Sequence, residues 1–205
     1  MDLIRLTRGV KPMNREHTLL LIVGKTACGK DSLVGKLCQR TGLKAITSYT
    51  TRPRRENEGD THIFTTEEEY EQMQAEGKVA AYTQISGYHY WTTINQLYEN
   101  DLYIIDYKGI KTLRELNLPN IRFVTVFVNT PDKIREERAL KKRKDDKIVF
   151  RKRSLDEAAQ FREMLKNADF DYSVSNIELS KAYAVLRWIS EVEGVWNNNK
   201  EDTTE

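Results

Sequence analysis

Residues 20–32 read Leu-Leu-Ile-Val-Gly-Lys-Thr-Ala-Cys-Gly-Lys-Asp-Ser. The apolar start of this stretch is typical of a buried strand, and an amphipathic helical pattern follows, so the segment between them joins a strand to a helix. Successive backbone N–H groups of such a glycine-containing loop point inward, and the helix N-terminus adds positive potential. Lys30, directly after the second glycine, can reach the terminal phosphates of a nucleotide. The stretch therefore predicts a phosphate cradle inside an α/β fold.

The spacing of the two glycines is that of a P-loop, with one departure. A P-loop has serine or threonine directly after its lysine, whereas here Asp31 intervenes and the hydroxyl arrives at Ser32. A strand-to-helix turn softened by glycine, with one surface lysine, is the alternative interpretation. We expect ATP to contact the loop and the first helical turn, namely Gly24, Thr26, Ala27, Cys28, Gly29, Lys30, Asp31 and Ser32.

The charge balance limits the classes of ligand. The chain has 205 residues, with 33 Lys and Arg against 31 Asp and Glu, so an anionic ligand must be held by local clusters of charge. This balance argues against general nucleic-acid binding. Cys28 and Cys38 lie on the loop and the first helix, where a disulfide is not expected, and no Cys or His spacing indicates zinc.

The length and the apolar pattern limit the class of protein. A chain of this length can bury a substantial core as one domain. It carries no apolar stretch typical of a secretory leader or a membrane span. We expect a cytoplasmic protein whose partners are small-molecule nucleotides, without nucleic acid or membrane, as a monomer or homodimer.

The order of apolar and helical patterns predicts the architecture. Short apolar runs predict buried strands at 19–23, 43–47, 102–106 and 123–128. Helical patterns alternate with them at 30–40, 107–116, 131–142 and 179–192. Alternation of this kind predicts an α/β fold in which helices cover a parallel sheet.

Segment boundaries follow from composition. We divide the chain into an N-terminal extension at 1–17, a functional domain at 18–192 and a disordered tail at 193–205. Within the domain, residues 52–98 break the alternation and predict an inserted substrate-binding subdomain. The highly charged stretch at 141–153 is expected to be a mobile lid.

Three local patterns predict helix starts. A helix is expected to begin near Thr65 or Thr66, with acidic residues in its first turn. Thr130-Pro131 predicts an N-cap followed by a first-turn proline. Ser154-Leu155-Asp156-Glu157 predicts a capping box within the next helical stretch.

A second basic loop follows the second predicted strand. Residues 48–64 read Ser-Tyr-Thr-Thr-Arg-Pro-Arg-Arg-Glu-Asn-Glu-Gly-Asp-Thr-His-Ile-Phe. Guanidinium groups bind phosphate oxygens bidentately and stay charged at any working pH, so this loop suits a second phosphate, although a solvated charge run is the alternative. Together with the P-loop, Ser-x-Thr-Thr-Arg-x-x-Arg followed by Glu58, Gly59 and Phe64 resembles the nucleotide-binding arm of guanylate kinases, within the nucleoside-monophosphate (NMP) kinases.

The resemblance implies a fold and an acceptor site. The fold is a P-loop three-layer α/β/α arrangement with a five-stranded parallel core sheet, an inserted NMP-binding subdomain and a mobile lid. Arg52 and Arg55 would hold the monophosphate together with Tyr90, and Ser48 would lie near the base. The other acceptor-site residues implied are His62, Thr92 and Asp106.

The resemblance also implies groups around ATP. Basic lid residues of the family are matched in spacing by Arg138, Lys142 and Arg153, with Arg143 and Arg151 as close alternatives. Asn176 aligns near the adenine. The groups expected to act in catalysis are Lys30, Arg52, Arg138 and Arg153, and Mg²⁺ would be held through Ser32, Asp31 or Asp106, or through their waters.

Several departures from the family pattern concern the acceptor base. Ala81 stands where guanylate kinases carry a glutamate that reads the guanine edge, and Ile104 and Trp91 replace an acidic residue and a glycine. His62 stands in place of a phosphate-binding tyrosine, in a loop that is shorter than its usual form. We therefore expect ATP-dependent phosphorylation of GMP or dGMP. One alternative is a deoxynucleoside-monophosphate kinase of different or broader base choice, since the Gly-Lys-Asp-Ser of this P-loop resembles that of some phage-type deoxynucleoside-monophosphate kinases. The other is an inactive guanylate-kinase-like module that binds proteins.

Overall fold

A computed structural model describes residues 17–54, 61–85 and 87–197. Arg55 and most of the predicted N-terminal extension lie outside these ranges. In chain order the elements are β1 (His17–Val23), α1 (Lys30–Thr41), β2 (Tyr49–Thr50), β3 (Ile63–Phe64), α2 (Glu67–Ala75), β4 (Val79–Ile85), β5 (Tyr88–Thr93), α3 (Ile94–Glu99), β6 (Leu102–Ile104), α4 (Tyr107–Glu115), β7 (Ile121–Asn129), α5 (Asp132–Glu137), a π-helix (Arg138–Lys142), α6 (Lys147–Lys166), β8 (Tyr172–Ser175) and α7 (Leu179–Val192).

A parallel sheet with strand order β6-β1-β7-β8 lies between two layers of helices. Leu20 and Ile22 of β1 pack in one core with residues of α1 and α7, such as Leu33 and Leu186. The alternate side chains of β1, including Leu21, pack in a second core with α3, α4 and α6. Leu19–Val23 of β1 are buried on both faces and are all apolar, as in strands of parallel sheets, whereas the first two residues of the strand are polar and half-buried. The expected α/β fold with a helix-covered parallel sheet is confirmed.

The core sheet has four strands in the described chain, so the expected fifth strand at 43–47 is wrong. Only Ala45 pairs with the sheet, through an isolated parallel bridge to Leu102. The backbone on either side is hydrogen-bonded to Asp101 and Leu102: Ile46 N donates to Leu102 O at 2.8 Å, Lys44 N donates to the Asp101 carboxylate at 2.8 Å, and Lys44 O accepts from both backbone amides. The apolar run therefore marks a partly buried segment that meets the sheet at a single bridge and does not form a ladder.

A second sheet, with strand order β3-β2-β5-β4, is formed by residues between Tyr49 and Thr93. Strand β5 pairs antiparallel with both β2 and β4. Helix α2 begins after Thr66, whose side chain accepts from Glu69 N in a capping box, in line with the expected helix start. The break in strand–helix alternation thus corresponds to a separate small sheet that carries its own helix.

Two expected helix caps differ from the structure. Helix α5 begins at Asp132 with Pro131 at the N-cap, and the Thr130 hydroxyl donates to Cys28 O instead of capping the helix. Helix α6 does not begin at Ser154 but runs from Lys147 to Lys166. Its N-cap is Asp146, whose carboxylate accepts the amides of the first turn, so a stronger cap upstream carries the helix through the predicted box.

The segments expected to be mobile contain regular structure in part. The stretch 141–153 includes the end of the π-helix and the first turns of α6. The described part of the expected tail packs against α7, because Trp196 is 7% exposed and the Arg187 guanidinium lies over its ring. Among the described helices, none combines the length and apolarity that a membrane crossing requires.

Candidate active site

The loop from Gly24 to Gly29 leaves the carboxyl end of β1 and enters α1, and its two glycines are required by close backbone approach. A Cβ at Gly24 would lie 2.6 Å from Val128 O and 2.7 Å from Cys28 Sγ. Gly29 has φ of 87°, and a Cβ there would lie 2.6 Å from Asn176 Nδ2. Both positions therefore exclude a side chain, and Gly29 also needs the left-handed backbone.

The carbonyl groups of this loop are bound from outside. Cys28 O accepts from Thr130 Oγ1 at 3.0 Å, from Arg138 Nη1 at 3.1 Å and from Asn176 Nδ2 at 2.8 Å. Thr26 O accepts from Arg135 Nη1 at 2.9 Å. These bonds fix the loop from its carbonyl side, so that the amides of Ala27, Gly29 and Lys30 are left for a ligand.

Three amide groups at the end of the loop, unlike these carbonyls, have no hydrogen-bond partner in the described chain. They are the N–H groups of Ala27, Gly29 and Lys30. Ala27 adopts φ of 58°, a left-handed conformation that turns successive amides toward one side. Such a concavity of free amides at a helix N-terminus binds anions.

The charged and hydroxyl groups of the first turn of α1 border this concavity. Lys30 Nζ donates to Gly24 O at 3.1 Å, across the mouth of the loop, and has no carboxylate partner among the described residues. Asp31 and Ser32 are exposed. The lysine ammonium is therefore available to a phosphate, with a carboxylate and a hydroxyl one and two residues away.

Arg138 and Asn176 lie behind the loop. Arg138 Nη2 donates to Asn176 O at 2.8 Å and to Ile177 O at 3.0 Å, in addition to its bond to Cys28. Asn176 is 1% exposed, and its Oδ1 finds no donor in the described chain. The structure brings both residues to the P-loop, where their observed bonds hold its backbone; contact of Arg138 with the phosphates and of Asn176 with the adenine stays a prediction.

Two further residues at the loop, Arg135 and Glu157, were not predicted from the sequence. Arg135 is 3% exposed and also contacts Asp132 and Ser154. Glu157 Oε2 accepts from Thr26 N at 2.7 Å, across 131 residues of sequence. Asp132 and Arg135 are three residues apart, a spacing typical of ion pairs on the surface of a helix. The sequence therefore gave no indication that Arg135 is buried.

A second cluster lies on the smaller sheet around Arg52, which is 8% exposed. Its Nε donates to Tyr90 OH at 3.0 Å and its Nη1 to Pro53 O at 2.8 Å. The guanidinium also lies 5.4 Å from the centre of the Phe64 ring. These contacts fix the orientation of a nearly buried arginine, which is what a phosphate-binding fork requires.

Ser48 and His62 join this second cluster. Ser48 Oγ lies 3.1 Å from His62 Nδ1, and the His62 ring meets Tyr90 edge-on at 5.6 Å between centroids. Four of the predicted acceptor-site residues are therefore neighbours: Ser48, Arg52, His62 and Tyr90. The second predicted phosphate-binding arginine, Arg55, lies outside the described ranges.

Thr92 and Asp106 have structural bonds. Thr92 is fully buried, and its hydroxyl donates to Gln96 Oε1 at 2.7 Å, within the cap of α3. Asp106 is the N-cap of α4, where its Oδ1 accepts Gly109 N at 2.6 Å. The hydroxyl of Thr92 is therefore used within the fold, whereas the second carboxylate oxygen of Asp106 has no hydrogen-bond donor among the described residues.

The two substituted positions, Ala81 and Trp91, are both buried. Ala81 is 1% exposed and belongs to the apolar core that includes Ile94 and Tyr107. Trp91 stacks on Tyr49 at 5.4 Å between centroids. Because side chains alternate along a strand, Trp91 points away from the face that carries Tyr90. Neither substitution adds a polar group to the acceptor cluster.

The remaining lid residues are less constrained. Arg143 pairs with Asp145 at 2.8 Å. Arg153 is half-buried and forms no ion pair within the described chain, while Lys142 and Arg151 are exposed. Neither Arg151 nor Arg153, the two α6 arginines of the expected lid, forms an ion pair in the described chain, and Arg153 is the more buried of the two.

Two further properties limit the chemistry. Burial raises the pKa of the Cys28 thiol, so this cysteine stays protonated near neutral pH and is a packing residue, not a nucleophile. Both cysteines are free thiols, as expected. In residues 17–54, 61–85 and 87–197, no three His, Cys, Asp or Glu side chains gather as a metal site.

Comparison with known proteins adds independent information. The family model "Guanylate kinase" matches residues 16–192. The chain is 31% identical to the guanylate kinase of Syntrophotalea carbinolica, covering 89% of each chain. It is 30% identical to that of Mycoplasmoides gallisepticum, covering 82% of this chain and 89% of the relative. The solved guanylate kinase of Anaplasma phagocytophilum superposes with a TM-score of 0.64, at 17% identity, over 88% of each chain, which shows a shared fold.

Proposed function

We propose that this chain, which belongs to the guanylate kinase family, transfers the terminal phosphoryl group of ATP to a nucleoside monophosphate, converting GMP to GDP. The observation that carries the proposal is the P-loop, in which Thr26 O and Cys28 O are bound from outside while the amides of Ala27, Gly29 and Lys30 have no acceptor in the described chain. Such a loop binds the phosphates of a nucleotide. The arginine cluster on the smaller sheet supplies a second, separate phosphate site.

The donor side of the site is the P-loop with α1. The amides of Ala27, Gly29 and Lys30 and the Lys30 ammonium bind the ATP phosphates. Arg138 and Asn176 keep the loop in its binding conformation from behind. Little covalent chemistry is asked of the protein, because phosphoryl transfer is accelerated mainly by alignment and by neutralising charge on the transferred group.

Magnesium fits the oxygen donors at this end of α1. Mg²⁺ is usually held by one or two protein oxygens, the rest of its ligands being waters and substrate phosphates. Ser32 and Asp31 are exposed beside the loop, and Asp106 retains a free carboxylate oxygen, so these residues can hold the ion directly or through water. The ion held there would supply positive charge that offsets the negative charge of the ATP phosphates.

The acceptor monophosphate binds at Arg52 and Tyr90, with Arg55 as a further phosphate ligand. Arg52 is held by Tyr90 OH, so its guanidinium is oriented before the substrate arrives. Ser48 and His62 line the same cluster and offer hydrogen-bonding groups to the nucleoside. Closing of the lid brings Arg153 and Arg143 toward the transferred group and excludes water.

The base of the acceptor is the point on which the chain departs from its family. The relatives of this chain are guanylate kinases, which favours GMP or dGMP. Ala81 is buried among apolar side chains and cannot accept hydrogen bonds from guanine, which favours a second candidate, a deoxynucleoside-monophosphate kinase of different or broader base choice. A protein-binding module without activity is disfavoured by the intact P-loop lysine and its free amides.

The test is a panel of acceptors. Purified protein is mixed with Mg-ATP and each ribo- and deoxyribonucleoside monophosphate in turn, and ADP is measured. Turnover of GMP or dGMP supports the proposal and shows that guanine is read without a glutamate at position 81. If only another monophosphate is phosphorylated, the kinase activity stands and that nucleotide, not GMP, is the acceptor. ATP binding without turnover of any acceptor contradicts the enzymatic function and favours the binding module.

A further inference from the structure

We propose that Glu157 is a positioning residue that docks helix α6 onto the P-loop and thereby supports ATP binding. The inference rests on the proposed function, since it assigns to the P-loop the role of ATP site. It concerns residues that the sequence pattern did not single out for a contact with the loop. Thr26 is the point of contact, because its N–H and its carbonyl are both bound by side chains far away in sequence.

Thr26 is held on one edge by two side chains from neighbouring helices. Its N–H donates to Glu157 Oε2 of α6 at 2.7 Å. Its carbonyl accepts from Arg135 Nη1 of α5 at 2.9 Å. Arg135 is 3% exposed and also donates to Ser154 Oγ of α6 at 3.4 Å. The loop, α5 and α6 are therefore tied together at a single residue of the P-loop.

The contact with the loop is a whole face of α6 and not one bond. Phe150, Ser154 and Glu157 are spaced by four and three residues and so lie on one side of the helix. Phe150 is 5% exposed and packs in a small cluster with Ala27 and Ala139. Along this face follow an apolar contact with the loop, a hydrogen bond that Ser154 accepts from the Arg135 guanidinium of α5, and a carboxylate–amide bond to Thr26.

This face also carries the lid arginine. Arg153 lies four residues before Glu157, one helical turn away on the same side of α6. Docking of α6 by Glu157 therefore sets where the Arg153 guanidinium stands relative to the loop. Among the loop amides, that of Thr26 is taken by Glu157, while those of Ala27 and Gly29 stay free in the described chain for phosphate.

The role assigned to Glu157 is that of a hydrogen-bond acceptor. A negative charge beside ATP phosphates would by itself oppose binding, because like charges repel. Its benefit must therefore come from fixing the Thr26 peptide and α6, which an amide oxygen can also do. This separates positioning from electrostatics: glutamine at 157 keeps the acceptor and the length of the side chain but loses the charge.

The experiment compares Glu157→Ala, Glu157→Asp and Glu157→Gln with a control, Asp156→Asn, which removes an exposed carboxylate from the same helix. Steady-state kinetics are measured with ATP and the acceptor varied separately, and the Kd for Mg-ATP is measured by calorimetry. Loss of one charge-assisted hydrogen bond is expected to raise the KM and Kd for ATP roughly tenfold in Glu157→Ala and Glu157→Asp. The KM for the acceptor stays unchanged, and Glu157→Gln and Asp156→Asn stay near the wild type.

Two results overturn the inference. ATP affinity equal to the wild type in Glu157→Ala and Glu157→Asp means that docking by Glu157 does not support ATP binding. Tighter ATP binding in Glu157→Ala than in the wild type means that the carboxylate acts on ATP by repulsion and not by positioning the loop. Thermal unfolding shows whether each variant is folded. If Glu157→Ala fails to fold, the ATP affinities of the isosteric Glu157→Gln and the shortened Glu157→Asp still test the inference. Because the Kd for ATP needs no turnover, it tests this inference even if no monophosphate proves to be a substrate.

Discussion

Lys30 Nζ donates to Gly24 O at 3.1 Å, so the lysine that follows the P-loop folds back across the loop to the carbonyl of its first glycine. In the described chain no carboxylate competes for this ammonium. A phosphate entering the loop therefore meets a cation that is already in place and that is held by one neutral hydrogen bond.

Replacement of Lys30 by alanine should lower turnover by about two to three orders of magnitude, the range found when one stabilising donor is removed from a transition state. Thermal stability should hardly change, because the side chain makes one hydrogen bond. The control is Lys36→Ala on the same helix, where the ammonium lies 5.1 Å from the Tyr183 ring. Initial rates of ADP release decide; equal rates in the two variants would be incompatible with the assigned site.

Tyr90 orients Arg52 through a hydrogen bond of 3.0 Å. Tyr90→Phe removes this bond and keeps the ring, so the KM for the acceptor should rise about three- to tenfold, the effect of one hydrogen bond, while the KM for ATP stays the same. Tyr88→Phe, two residues earlier on the same face of β5 and 37% exposed, is the control. If the KM for ATP changed and the KM for the acceptor did not, Arg52 would bind ATP and its assignment to the acceptor site would be wrong.

Two glycines of the same region should respond in opposite directions to alanine. At Gly24 a Cβ would lie 2.6 Å from the backbone oxygen of Val128, and we expect Gly24→Ala to lower the free energy of unfolding by about 1–3 kcal/mol. Gly35 lies within α1, and a Cβ there would meet no atom within 4 Å, so Gly35→Ala should raise the free energy of unfolding by about 0.5–1 kcal/mol. Urea unfolding of both variants checks the pair, and a stabilised Gly24→Ala would refute the close approach.

Ala81 is 1% exposed in an apolar core, so this position no longer accommodates the glutamate of the family. Ala81→Glu should lower the free energy of unfolding by more than about 2 kcal/mol, because a carboxyl group would be buried without a partner. The exposed Gln84→Glu on the same strand should be nearly neutral. Should Ala81→Glu unfold like the wild type, position 81 would be open to the acceptor site, contrary to its burial here.

Burial raises the pKa of Tyr70 from its ordinary value of 10.0 to about 12, with Tyr82 and Glu67 adding to the effect. Unfolded Tyr70 therefore ionises first, and the free energy of unfolding should fall as pH rises from about 10 to about 12, by at most about 1.4 kcal/mol per pH unit from this group. Below that window Tyr70 contributes no pH dependence. Urea midpoints in the alkaline range should fall less steeply in Tyr70→Phe, and identical slopes would exclude the shift.

Features that depend on neighbours in sequence were predictable. The P-loop follows from the run Gly24–Ser32, and the bounds of α1, α4 and α7 follow from apolar periodicity and lie within a residue or two of those expected. The apolar run at 43–47 wrongly predicted a fifth strand, because the number of residues that pair with β6 depends on contacts distant in sequence, and only Ala45 pairs with it. A buried loop and a buried strand show the same apolar pattern in the sequence.

Features that depend on distant contacts were out of reach of the sequence. Arg138 and Asn176 were expected at the nucleotide, but their bonds to Cys28 O arise from the packing of the loop against β8 and the π-helix. Thr92 was expected at the acceptor, yet its hydroxyl is taken by Gln96, whose side chain is turned back by the cap of α3. The bond from Thr26 N to Glu157 spans 131 residues and has no local pattern at all.

The central claim is transfer of a phosphoryl group from ATP to GMP at the P-loop. The most direct measurement uses ATP labelled in its γ-phosphate, with GMP and Mg²⁺, and follows the label by chromatography for the wild type and for Lys30→Ala. We expect label to appear in GDP with the wild type and to be lost with the variant. Label released only as inorganic phosphate, or GDP formed equally by both proteins, would contradict the claim.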